Sequence, residues 1–317
     1  MTTHLYRWFA ILVLASSALP ALVADVTTRY KTEITVNPAV AGATKGVNLP
    51  APQEMTFRLK GVKGFSSSLG VESIIDFGTK EMMILDPSSM RYAKMTHEQF
   101  ADELVKAMPQ MPAATSAALA DVTPSVSPAS LTGRTVVIQG VEAEEREMVV
   151  SIDGPAIPNA PAGPAMRMVM QIWSAKAGEA TRVSAIRELT AHSLESFANM
   201  SPMANFERIM KQFPGLADAL EPILKETQNG TVILRMHIDV FIPAMAAIMK
   251  QMAAAGRGAG TGLDDGAPFV QVNQELVELS TEPVPDSAFQ IPEGYREASS
   301  SELVQAVLAK SKAALRQ

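Results

Sequence analysis

The chain has no cysteine, four histidines, two tryptophans and only 5% aromatic residues in a length of 317. The missing cysteines exclude disulfides, thiol nucleophiles, thiolate metal sites and a lipid carried on an N-terminal cysteine. Whatever stability an exported form of this chain has must come from its core. Charge is sparse and leans to acid, with 27 Lys and Arg against 33 Asp and Glu. Nucleic acid and anionic membrane surfaces select clustered cations, so neither is expected as a main partner. A composition of 47% apolar residues with 19 Gly and 21 Pro also excludes a collagen-like or wholly disordered chain.

One apolar run opens the sequence. Met1 to Arg7 is a short polar start with one fixed cation, Arg7, followed by the apolar stretch Trp8–Ala15 and the small residues of Ser16–Ala24. That order is the order of a secretory signal peptide, and Pro20 breaks the helix ahead of the cleavage site. A membrane-spanning helix needs about 20 apolar residues, more than Trp8–Ala24 supplies. Cleavage is expected after Ala24, with Ala18 and Ala21 as alternatives. The mature chain would begin at Asp25 with a net charge of −7 in place of −6. The expectation is a periplasmic or secreted protein that is not integral to a membrane once processed.

Beyond Asp25, apolar residues alternate with period two more often than they follow a helical period. Glu54–Lys60 is the clearest case: Met55, Phe57 and Leu59 share one face, and Glu54, Thr56, Arg58 and Lys60 the other. Such alternation is what an antiparallel sheet with one wet face requires. Strands are expected at Tyr30–Val36, Val71–Phe77, Glu81–Leu85, Met90–Met95, Thr135–Ile138, Glu144–Ile152, Met166–Trp173, Val232–Val240 and Phe269–Ser280. Asp86-Pro87-Ser88-Ser89 suits a type I turn between two of them.

Helices are expected from Thr96 to about Met108, where Thr96 and Gln99 form a capping box, and at Val183–Phe197, Ser201–Phe213, Leu216–Glu226, Pro243–Ala255 and Ser301–Leu315. The last of these turns Leu303, Val304, Val307 and Leu308 inward. Pro109–Ser130 and Gly256–Gly266 read as loops, and Pro283–Ala298 as extended chain. The expected fold class is α+β: a strongly curved antiparallel sheet, an open half-barrel with helices covering its concave side. Residues 25–317 form one domain, with a helical insertion at about 176–228.

Little in this sequence carries catalysis. Gly64–Gly70 is serine-rich but lacks the Gly-x-Ser-x-Gly elbow. His97, His192 and His237 read as solvated imidazoles, and Arg235, His237 and Asp239 as the wet face of a strand. His97-Glu98-Gln99-Phe100 is not a zinc motif, because position 101 is alanine. Asp264-Asp265-Gly266 lacks calcium-loop spacing, and Gly256–Gly262 leads into a strand rather than a phosphate-holding helix. Methionine, at 19 residues, is the abundant soft side chain. Met166, Met168 and Met170, Met245, Met249 and Met252, and Met82, Met83, Met90 and Met95 form groups with three readings: core packing, an adaptable apolar cavity, or Cu(I) ligation. No enzyme activity, cofactor or metal is assigned.

Leu85-Asp86-Pro87, Arg91-Tyr92-Ala93-Lys94-Met95 and Phe289-Gln290-Ile291-Pro292-Glu293-Gly294-Tyr295 resemble the strand and closing motifs of a bacterial exported family of unknown function. That family is similar in architecture to the LolA-like lipoprotein carriers. The resemblance covers most of residues 28–298 and implies an apolar hollow without catalytic residues. The residues expected to line it are Met55, Phe57, Leu59, Ile75, Phe77, Met148, Met168, Met170 and Ile172, with a lipid or other apolar molecule as ligand. The alternative is a packed envelope scaffold that binds a protein partner.

Overall fold

A computed structural model describes residues 24–38, 52–68, 70–107, 123–153, 164–200, 231–243 and 266–314. The strands are β1 (Val26–Val36), β2 (Gln53–Lys60), β3 (Lys63–Ser68), β4 (Val71–Asp76), β5 (Glu81–Asp86), β6 (Arg91–Thr96), β7 (Thr123–Val126), β8 (Ser130–Ile138), β9 (Val141–Asp153), β10 (Met166–Ala175), β11 (Ile233–Phe241), β12 (Val270–Ser280) and β13 (Arg296–Glu297). Four helices are described: α1 (His97–Ala107), α2 (Glu179–Arg182), α3 (Ser184–Met200) and α4 (Ser300–Ala314). All thirteen strands belong to one sheet, ordered β13-β6-β5-β4-β3-β2-β1-β12-β11-β10-β9-β7, with β8 also on β9. The fold is α+β and the sheet is not closed into a barrel. Every pairing is antiparallel except β13 on β6.

Local chemistry sets the tight turns. Between β2 and β3 only Gly61 and Val62 intervene, and Gly61 takes φ 55°, which the first position of a type II′ hairpin demands. At the β5–β6 turn the Asp86 carboxylate accepts from the Ser88 and Ser89 amides at 3.0 and 3.3 Å. At α1 the Gln99 amide donates to Thr96 Oγ1 at 3.2 Å while the Thr96 amide donates to Gln99 Oε1 at 2.9 Å. That is the reciprocal capping box anticipated from the sequence.

Cross-strand register shows which face each half buries. Val26, Leu59, Gly64, Ile75, Met82 and Met95 are successive partners across β1 to β6, and so share a face. On that face α3 brings Ala185, Ile186 and Leu189 into the cluster of Val26, Leu59, Leu234 and Leu276. On the same face α4 packs Leu303 and Val304 against Ile75, Met82 and Met95. The segment between β12 and α4 covers the opposite face, where Val284 and Phe289 join Phe65, Ile74 and Leu85. The C-terminal stretch thus wraps the β2–β6 meander: one face by Val284–Tyr295, the edge by β13 and the other face by α4.

Three strands depart from expectation. Lys63–Ser68, passed over as a serine-rich stretch, is β3, and Thr123–Val126, assigned to a loop, is β7. Both owe their pairing to neighbours rather than to their own residues. The two-residue β13 lies, with a short 3-10 turn at Asp286–Phe289, inside the segment expected to be extended. The Val183–Phe197 helix is found as α3, preceded by α2. Residues 1–23, with the expected signal peptide, and the helices expected after Met200 and at 244–255 lie outside the described residues. No helix of the described residues is long and apolar enough to cross a membrane.

Candidate functional site

The central strands carry the most extended apolar surface. Register places Val36, Val270, Val240, Met168, Val150 and Val126 side by side across β1, β12, β11, β10, β9 and β7. One step along, Ile34, Val272, Ile238, Met170 and Met148 form a second row over five strands. At about 4.8 Å per strand the longer row spans about 24 Å. On β1 the rows continue the face of Val26, whereas on β9 Met148 and Val150 lie on the face opposite Val141 and Ala143 of the α3 cluster. Met148, Val150 and Met170 are buried, while Ile34, Val36, Met168, Ile238, Val240, Val270 and Val272 are half-buried. A third row, Thr32, Gln274, Met236, Ile172 and Arg146, ends the apolar band in polar groups.

The reverse face of these strands is polar and internally paired. Arg235 Nη2 donates to Glu275 Oε1 at 2.7 Å, and its guanidinium lies 5.6 Å over the Trp173 ring. His237 has Nδ1 at 2.5 Å from Asn273 Oδ1 and Nε2 at 3.1 Å from Asp239 Oδ1. Gln271 donates to Asp239 at 2.8 Å and Gln171 to Glu147 at 3.1 Å. The Arg235–His237–Asp239 row is therefore one side of a cross-strand hydrogen-bond ladder, with no hydroxyl nucleophile in its hydrogen bonds among the described residues.

The nine residues expected to line one hollow fall into separate environments. Phe57 and Leu59 lie in the cluster under α3. Ile75 belongs to the cluster under α4, and Phe77 borders both. Met148, Met168, Met170 and Ile172 do gather, with Val150, Met236 and Ile238. Met55 is half-buried beside Tyr30 and Ser68. The division has a physical origin. Along β9 the buried residues are Val141, Ala143 and Glu145, then Met148 and Val150, although its register with β10 is unbroken. The two ends of β9 are thus buried on opposite faces. Register shifts at Arg29/Tyr30 and Trp173/Ser174 lie at that level of the sheet, where bulges re-aim side chains.

Other candidates resolve as follows. Ser66 hydrogen-bonds Ser73 at 2.6 Å across β3 and β4. Met82 and Met95 face each other in the core, Met83 lies on the opposite face, and Met90 is an exposed turn residue, so these four methionines do not form one group. A cleft of about 420 Å³ opens on the face away from α4, floored by Ile74 and Met83, walled by Phe289 and rimmed by Lys63, Asp76, Glu81 and Lys94. Its two cations and two acids select no ligand charge. Sequence reasoning missed Val36, Val126, Val240, Val270 and Val272. Their alternation was visible, but not that β1 would lie beside β12. A scan against protein-family models and a search of curated proteins find no match to this chain.

Proposed function

We propose that this chain is an exported, non-catalytic protein that binds a lipid or other apolar molecule against the Met-rich face of β9, β10, β11, β12 and β1. The observation that carries this reading is the pair of apolar rows, six and five residues wide, of which eight members, Val126 among them, are only half-buried. Methionine at Met148, Met168, Met170 and Met236 gives that face side chains that adapt to more than one apolar shape. Each methylene of an acyl chain laid on it would contribute about 0.8 kcal/mol. In this reading the sheet is a curved half-barrel and the helices close its hollow side, the architecture of the LolA-like carriers to which the exported family with these motifs is similar.

The α2–α3 pair bridges the central strands. Arg182 donates to the Gly140 carbonyl beside β9, and His192 contacts the Gly61 carbonyl beside β2. Those strands are five neighbours apart, so the helical pair, with its extended joint at Val183, reaches across the strands between them.

A second reading, a scaffold with a packed core and an envelope protein as partner, is favoured by the burial of Leu59 and Ile75 at 0% exposure under the chain's own helices. Native mass spectrometry of the protein recovered from its own envelope separates the two. A bound lipid mass that falls away in Met168→Glu, with circular dichroism unchanged, supports the ligand reading. Ligand-free protein in wild type and variant alike selects the scaffold.

A further inference from the structure

Helix α3 is attached to the sheet through a side chain whose two polar atoms both meet acceptors. His192 Nδ1 is 2.9 Å from the Glu188 carbonyl oxygen one helical turn back, and Nε2 is 2.8 Å from the Gly61 carbonyl oxygen of the β2–β3 turn. A backbone carbonyl has no proton to give. A neutral imidazole carries one N–H, so it serves one of these oxygens and turns a lone pair toward the other; the imidazolium serves both. A ring flip puts carbon at both positions and forfeits both contacts. His237 is different in kind, because its neighbour Asn273 is an amide that can present either oxygen or N–H.

We propose that His192 is a proton-operated latch that holds α3 over the core cluster when charged and loosens it when neutral. The other end of the helical pair is fixed independently of this proton. Glu179 is bound by Arg182 and accepts from the Glu142 amide at 3.0 Å, and Arg182 also donates to the Gly140 carbonyl at 2.6 Å. Movement therefore begins at the His192 end, above Ala185, Ile186 and Leu189. The Phe77 ring stands 5.9 Å from the imidazole and closes its side.

The charged groups on the elements that meet here are committed elsewhere. Glu188 pairs with Arg187 at 3.5 Å, Lys60 with Asp286 at 2.8 Å, and the Asp76 carboxylate accepts from the Gly78 and Thr79 amides. Lys63 follows the turn and Lys80 the Phe77 bend, and among the described residues no carboxylate pairs with the ring. Proton number sets the sign: the latched form holds the second proton, so acid favours latching and rising pH favours release. The inference stands whether or not the chain binds a lipid.

The absence of native cysteine makes the test direct. Spin labels at Ala191→Cys on α3 and Val62→Cys in the turn report the separation of the two elements, with and without His192→Gln. The expected result is one short, narrow distance at pH 5 and a broader, longer population at pH 8. The opening equilibrium should shift about fivefold, the equivalent of one hydrogen bond. In His192→Gln, which cannot gain a second donor by protonation, the distance should not respond to pH. Ring nitrogen chemical shifts of the unlabelled protein should show both His192 nitrogens protonated at pH 5. A distance unchanged between the two pH values, a pH response that survives in His192→Gln, or a singly protonated ring at pH 5 would each overturn the latch.

Discussion

Asp86 shows how one residue can serve two structures. Its carboxylate completes the β5–β6 turn through Ser88 and Ser89 and also receives Lys310 from α4, with the side chain 3% exposed. Burial alone would raise this carboxyl, but the hydrogen bonds from Lys310, Ser88 and Ser89 outweigh it and hold the group well below the usual carboxylate range. A depressed carboxyl contributes stability that is complete above the unfolded value of about 3.9 and lost as pH falls through the lower folded one. Acidification should therefore weaken the hold on α4 progressively from about pH 4 downward, detectable as a loss of helical signal ahead of global unfolding. Asp86→Ala should cost about 3 kcal/mol in urea denaturation, the low end for a broken buried pair because the Lys310 head is partly hydrated. Tyr30→Phe is milder. Its hydroxyl donates to the Ile233 carbonyl at 2.9 Å, and its loss should cost about 1 kcal/mol. The turn role of Asp86 was readable from Asp-Pro-Ser-Ser, whereas its tie to a lysine 224 positions away was not, because only folding brings the two together.

Elements were legible where a chemical signal is local. The Thr96 capping box, the type I turn after β5, and the inward Leu303 and Val304 of α4 depend on residues within four positions of each other. Thr96→Ala should lower stability by about 1 kcal/mol and fray the first turn of α1, a change that amide hydrogen exchange resolves. The strand β3 was not legible, since Lys-Gly-Phe-Ser-Ser-Ser offers no alternation; it is held in register by β2 and β4 on either side. The candidate site was legible in part for the same reason. Met148, Met168, Met170 and Ile172 come together because period two put them on one face of neighbouring strands. Phe57, Leu59 and Ile75 carry the same pattern but are covered by α3 and α4. Alternation specifies a face, not what packs on it.

At the scale of the molecule, the α+β class and the antiparallel order follow from many short alternating strands, but the sheet's arrangement rests on one long-range pairing. Ten register partners join β1 to β12, from Thr27 with Ser280 to Val36 with Val270. The C-terminal wrap is the other global feature, and removing residues 281–317 strips cover from both faces of the β2–β6 meander at once. That truncation should raise binding of an apolar dye and abolish cooperative unfolding, whereas Leu303→Ala alone should cost about 2–5 kcal/mol and leave the transition cooperative.

The seam between β1 and β12 has a consequence for assembly. On one side of it stands the meander of β1 to β6 with β13 at its edge, and on the other the strands β7 to β12. Parting the seam bares two long complementary edges that can be satisfied equally well by a neighbouring molecule. Crowded refolding should therefore trap reciprocal exchange dimers, in which β1 of one copy pairs with β12 of another.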